Sequence, residues 1–183
     1  TASHGPDFLL ANDAWARFIN LKYGPDGNVY LIDWYDKQAC HTGDSRVWDR
    51  SNGRIYKICY KDAKPVVKLD LQKCTDMELV AYQVHPNEWY VSHARRVLQE
   101  RYNETVTSRM EDRDAVVAAL DKLLADRIPK RDAGPNPALH VLWTLNAISS
   151  LTNERVARFG AHRDENVRAW EVRLGPGLPK VLI

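Results

Sequence analysis

The sequence predicts an α+β protein whose two kinds of element are segregated along the chain, strands first and helices after. Glu is absent from Thr1 to Thr75, where nine Asp supply every acid, and all eight Glu lie from Glu78 onward. Asp bonds to nearby backbone and favours turns, whereas Glu is a good helix former, so the switch marks a change of architecture. The hydropathy pattern agrees, with short alternating runs of β-formers up to Tyr60 and longer helical patterns, broken by Pro, Asn or Gly, after Thr75.

The first two runs, 18–23 and 28–34, flank Gly24-Pro25-Asp26-Gly27. Pro presets one turn dihedral and Gly permits a positive one, which predicts a β-hairpin. A third run, 54–60, alternates apolar and polar residues after Ser51-Asn52-Gly53 and should form a strand with one face buried. Three such strands make most of one β-propeller blade. Segment 36–50 is polar, aromatic and too long for a tight turn, which suits a binding loop displayed by a rigid sheet.

Helices are expected over 76–84, 88–102, 112–126, 137–151, 153–160 and 165–174. Asp76 and Asp112 suit N-caps, Pro137 can occupy a first turn, and Gly175-Pro176 should stop the last helix. Tyr90 to Val97 and Val167 to Leu174 share an apolar, Arg-rich pattern 77 residues apart, about two units of a helical repeat of HEAT length. Six helices then give about three hairpins of a short α-solenoid. Pro65 and scattered lysines mark 61–75 as a connector, which Val66, Val67, Leu69 and Leu71 could pin to one neighbour.

With 183 residues, 44% apolar and 27% charged, the chain is ordinary globular material. Lys plus Arg number 26 against 24 acids, too small an excess to suggest a surface that tracks nucleic-acid phosphates. The longest stretch free of charged residues, 133–153, holds Pro135, Asn136, Pro137 and Asn146 and makes a poor bilayer span. Thr1 in place of an initiator Met and the apolar Val181-Leu182-Ile183 suggest a fragment. Cys40, Cys59 and Cys74 form no CxxC or CxxCH. Cys59 reads as a packed thiol, with a Cys59–Cys74 disulfide left open.

Candidate substrate- or ion-binding residues gather around the long loop: Asp33, Tyr35, Asp36, His41, Asp44, Asp49, Arg50 and Arg54. The Asp33 and Asp36 carboxylates with His41 could accept protons or hold a hard cation while Arg50 orients an anionic or hydroxylated ligand. Equally, Asp33 and Asp49 could cap turns and pair with Arg50 or Arg54. Oxygen spacing of an EF-hand is lacking, and Asp33 and Asp36 alone do not define a glycosidase. His85, His93, His140 and His162 lack zinc-site spacing and read as capping or packing residues, as Trp89, Trp143 and Trp170 read as packing. Arg95, Arg96, Arg168 and Arg173 could face a partner, but Glu100, Glu165 and Glu171 among them favour a solvated face.

The segments GPDGNVYLIDWYDKQACH at 24–41 and DRSNGRIYKI at 49–58 resemble the last part of the propeller in large membrane-bound dehydrogenases of planctomycetes and verrucomicrobia. Those proteins are similar to soluble glucose and sorbosone dehydrogenases. In them HEAT repeats follow the propeller, and a c-type cytochrome domain carrying CxxCH usually follows the repeats. HPNEWYVSHARRVLQERY at 85–102 and ENVRAWEVRLG at 165–175 resemble their repeat helices. The resemblance implies an incomplete C-terminal blade over 1–60, a connector over 61–75, a HEAT-like solenoid over 76–175 and a truncated tail over 176–183. It also implies an exported dehydrogenase, periplasmic or secreted and in some settings membrane-associated, that acts on a sugar-like or alcohol substrate with a cytochrome or other redox partner. Haem c would then belong to a missing C-terminal region, and the propeller's own cofactor, quinone-type or calcium, stays open, as do its catalytic residues. The competing expectation is a non-catalytic carbohydrate- or protein-binding scaffold.

Overall fold

The computed structural model describes residues 3, 5–37, 43–44, 46, 51–102, 110–127 and 136–175. It divides into two compact units, Thr1–Val67 and Lys68–Ile183, with the strands in the first and the helices in the second.

The strand unit is an antiparallel sheet of three strands, β1 (Phe18–Tyr23), β2 (Val29–Asp33) and β3 (Arg54–Ile58), in the order β1-β2-β3. The turn between β1 and β2 closes as its residues require. Gly24 donates to the Asn28 carbonyl at 2.9 Å, Gly27 donates to the Gly24 carbonyl at 3.0 Å, and Gly27 takes a φ of 75°. Gly24 also has to lack a side chain, because a Cβ there would lie 2.5 Å from the Tyr30 ring. β1 and β2 lose register between Ile19 and Lys22, whereas β2 and β3 pair without a break from Val29↔Ile58 to Asp33↔Arg54.

Register fixes the two faces. One row crosses all three strands as Ile19, Ile32 and Ile55, and the next on the same face as Lys22, Tyr30 and Lys57. On the opposite face Leu31 sits across from Tyr56, and Phe18 meets the Tyr56 ring edge-on at 5.2 Å. The alternation of β3 is therefore real, but its less exposed face is Arg54, Tyr56 and Ile58, while Ile55 is 77% exposed. β3 ends at Ile58, so Cys59 lies beyond the ladder as an exposed free thiol rather than a packed one, and Cys74 is also free.

The helical unit opens with a 3-10 turn, Leu71–Lys73, capped by Asp70. Among the described residues six helices follow: α1 (Asp76–Ala81), α2 (Glu88–Arg101), α3 (Met110–Arg127), α4 (Pro137–Ala147), α5 (Asn153–Gly160) and α6 (Glu165–Leu174). α1 runs directly into a 3-10 turn, Tyr82–Val84. Its N-cap is Thr75, whose hydroxyl accepts from the Glu78 amide while Glu78 reaches back to the Thr75 amide. Asp76 is thus the first helical residue and not the cap expected from sequence; a β-hydroxyl with Glu three positions on satisfies two orphan amides, which Asp76 alone does not. Asp112 likewise lies inside α3, whose start precedes it. α4 stops at Ala147 rather than 151, because Ser149 turns left-handed with a φ of 55°.

Apolar side chains at helical spacing fill one interior. Leu79, Leu98, Tyr102, Leu120, Leu142 and Leu145 are completely buried, and Leu71 ties the opening turn to them. α1 packs on α2, α3 on α4 and α5 on α6; α2 then meets α4, α4 meets α6, and α1 meets α3. The 77-residue internal similarity extends to the caps. His85 Nδ1 accepts from the amide of Asn87, the N-cap of α2, and His162 Nδ1 accepts from the amide of Asp164, the N-cap of α6. No helix among the described residues is long and apolar enough to cross a membrane.

Candidate functional site

Asp33 ends β2 opposite Phe18 on one side and Arg54 on the other, which delivers its carboxylate to the place where three chain segments meet. Oδ1 accepts from the Arg17 amide at 2.8 Å and the Tyr35 amide at 3.0 Å. Oδ2 accepts from Arg54 Nε at 2.9 Å and Nη2 at 2.7 Å. The side chain is closed to solvent. Burial alone pushes the carboxyl up, but the Arg17 amide, Arg54 and the Tyr35 amide together outweigh it, and Asp33 is held below the usual carboxylate range. A carboxylate with its lone pairs engaged and a lowered pKa anchors structure; it is a weak base with no oxygen turned to a substrate.

Arg54 bridges this carboxylate to Asp13, whose Oδ2 it reaches at 2.9 Å, while Asp13 Oδ1 accepts from the Trp15 amide at 3.0 Å. Asp13 first and then Asp33 hold the guanidinium firmly charged. Its plane also lies over the Tyr35 ring, 4.7 Å from the centroid, with Tyr56 at 5.6 Å. Tyr35 adopts a φ of 53° to bring its ring there, and Trp15 meets that ring at 5.9 Å. Asp36 is buried, and its amide donates to the Trp15 carbonyl at 2.9 Å.

Of the candidates read from sequence, Asp33, Tyr35 and Arg54 come together, with Asp36 next along the chain. His41, Asp49 and Arg50 lie outside the described residues. Asp44 pairs with Arg46 at 2.7 Å on an exposed stretch. Asp13, Trp15 and Arg17 were not foreseen, although all three serve this knot. Arg17 donates its amide to Asp33 and its guanidinium to the Ala14, Ala16 and Lys37 carbonyls. The readable signal was Asn12-Asp13 before Ala14-Trp15, an Asx-type turn whose aspartate has one oxygen to spare.

A second polar group is sealed within the helical unit. Gln83 is completely buried; its Nε2 donates to the Leu79 and Val91 carbonyls, and its Oε1 accepts from the Thr144 hydroxyl at 2.9 Å. His140 Nδ1 donates to the Gln83 carbonyl at 2.8 Å, and Nε2 faces Glu88 Oε2 at 3.1 Å. These bonds join α2, α4 and the 82–84 turn, a packing role. Beside them Arg95 lies over Trp143 at 5.1 Å, Trp143 meets Trp170 edge-on at 5.2 Å, and Arg173 lies over Trp170 at 4.8 Å. Burial pulls the Arg95 guanidinium down and Glu88 partly restores it. Trp143 and Trp170 thus pack between helices, in a ladder with Arg95 across α2, α4 and α6. Among the described residues no group of three or more His, Cys, Asp or Glu side chains is placed to hold a metal ion.

Residues 1–62 match the family described as Domain of unknown function (DUF7133), a stretch that takes in the whole sheet. Neither a curated protein nor a solved structure matches the chain.

Proposed function

We propose that this chain joins a sugar- or alcohol-dehydrogenase-like β-propeller to a HEAT-like α-solenoid in an exported, periplasmic or secreted protein, and that its own part there is to scaffold and dock. The observation that carries the reading is the isoleucine row across the sheet. Ile19 is 39% exposed and Ile55 77% exposed, on either side of Ile32. A three-stranded sheet with such a face wants cover, and a propeller supplies it by setting blade against blade around a ring. The helix order supports the second half of the reading: the first helices of the first two pairs, α1 and α3, meet, and second helices meet in the series α2, α4, α6, as stacked hairpins do.

Catalysis is assigned to blades other than this one, since Asp33 is engaged by Arg54 and two amides. Haem c is assigned to a separate region, because the three cysteines here form no CxxCH. A quinone-type group or calcium in the propeller would likewise be held by residues elsewhere. The test is dye-linked oxidation of alcohols and sugars by the full-length gene product with haem loaded. Dye reduction on such a substrate is expected; none across a broad panel overturns the dehydrogenase reading.

The second reading, a carbohydrate- or protein-binding scaffold without redox chemistry, is favoured by that same engaged carboxylate. The neighbouring coding sequence separates the two. A downstream CxxCH favours electron transfer, whereas further repeats or lectin-like modules favour binding.

A further inference from the structure

A cleft of about 290 Å³ opens between the Leu71–Lys73 turn and α2, wholly within the helical unit. Its floor is apolar, with Leu71 and Val97 buried and Leu69 partly buried. One wall is a pair of stacked rings, Trp89 and His93, whose centroids are 4.0 Å apart and whose planes differ by 18°. The rim carries Glu100, Arg96 and Gln72.

These rim groups are held in place with bonding capacity to spare. Glu100 Oε1 accepts from Arg96 Nε at 2.8 Å, and Oε2 accepts from Gln72 Nε2 at 2.9 Å. Arg96 and then Gln72 keep the carboxyl below the usual carboxylate range, so it stays ionised. Each oxygen retains a lone pair, Arg96 retains its two Nη groups, and Gln72 retains its side-chain Oε1. His93 Nδ1 donates to the Trp89 carbonyl at 2.7 Å, which orients the ring and leaves Nε2 for a ligand hydroxyl. Donors and acceptors therefore alternate around an apolar floor beside an aromatic wall.

We propose that this cleft binds one neutral sugar ring, whose adjacent hydroxyls bond to Glu100, Arg96 and His93 while its C–H face lies against the ring wall. A vicinal diol offers a donor and an acceptor on each oxygen and so matches planar, ionised side chains that present both. Charge argues for an uncharged ligand: Asp70 pairs with Lys73 and Glu100 with Arg96, so the acids at the rim are balanced and neither a free anion nor a free cation is favoured. The volume is at the small end of ligand pockets and fits one ring, not a chain. This site is distinct from any reaction of the parent protein and does not rest on the dehydrogenase reading.

The test is titration of the whole chain with methyl β-D-glucopyranoside, methyl α-D-mannopyranoside and methyl β-D-galactopyranoside, read by tryptophan fluorescence and saturation-transfer NMR. Saturable millimolar binding of at least one glycoside is expected. His93→Ala and Glu100→Gln should each weaken it about tenfold, roughly the loss of one hydrogen bond, and both residues are exposed, so far-UV circular dichroism should be unchanged. A dideoxy analogue of the bound glycoside lacking the vicinal pair should not bind. No saturable binding of any glycoside, affinity unaltered in both variants, or tighter binding of inorganic phosphate or tetramethylammonium would each overturn the proposal. Failure of sugar oxidation by the parent protein would leave it standing.

Discussion

In the strand unit Leu31 is buried beside polar Asn28, Asp33 and Asp36, whereas in the helical unit Leu79, Leu98, Leu120, Leu142 and Leu145 enclose a continuous apolar interior. The sheet is organised around a carboxylate and a guanidinium, the helices chiefly around methyl groups, with Gln83, His140 and Thr144 sealed among them. Charge networks respond to pH and to the loss of one partner, while apolar cores respond to lost volume. The two units should therefore fail under different insults.

The largest effect is expected from Leu142→Ala, which opens a cavity where the side chain is completely buried. It should lower the stability of the helical unit by about 2–5 kcal/mol, read from denaturant unfolding by circular dichroism at 222 nm. Next comes Asp33→Ala, which strands two backbone amides and uncouples Arg54 from β2. A cost of about 2–3 kcal/mol should show as faster amide exchange in β1 to β3, with the helices untouched. An equal loss of protection in α2 and α4 would mean that the units do not fail separately.

Acid sharpens the same contrast. The folded pKa of Asp33 lies below its unfolded value, so its contribution is present above about pH 4 and disappears as pH falls through the folded pKa. The sheet should lose exchange protection on acidification below that point in the wild-type chain, and the Asp33→Ala variant should show a smaller response, since Asp13 and Asp26 of the same unit are also held below the usual carboxylate range. The smallest change is Thr75→Ala, which removes the hydroxyl of the α1 capping box. It should cost about 1 kcal/mol in the helical transition and leave the sheet's acid response unaltered.

Local signals made much of this architecture legible. The Gly24 to Gly27 turn, the alternation in the strands and the Asn or Pro breaks between helices each act over a few residues, and the elements formed within a few positions of where those signals placed them. Asn136-Pro137 is the clearest case, giving an N-cap and a first-turn proline together. The misses at Asp76 and Asp112 came from choosing Asp over Thr75 and over the helix-forming Met110-Glu111, because competing caps one or two residues apart look alike in sequence. Cys59 was misjudged for a different reason: periodicity says which residues share a face but neither where the ladder ends nor whether anything covers that face. The knot at Asp33 was only partly readable, since Arg54 and Asp13 are 41 residues apart and nothing local pairs them. His93 read as a capping or packing residue and Glu100 as part of a solvated face, because the turn that completes their cleft lies some twenty positions upstream.

The carboxylate at the end of β2 divides its two oxygens between neighbours, Oδ1 to the amides of Arg17 and Tyr35 and Oδ2 to Arg54. Fraying at β3 would therefore cost the Oδ2 bonds and the Arg54 link to Asp13 first, and a protease acting there should meet a sheet that loosens at one edge while β1 stays clasped to β2.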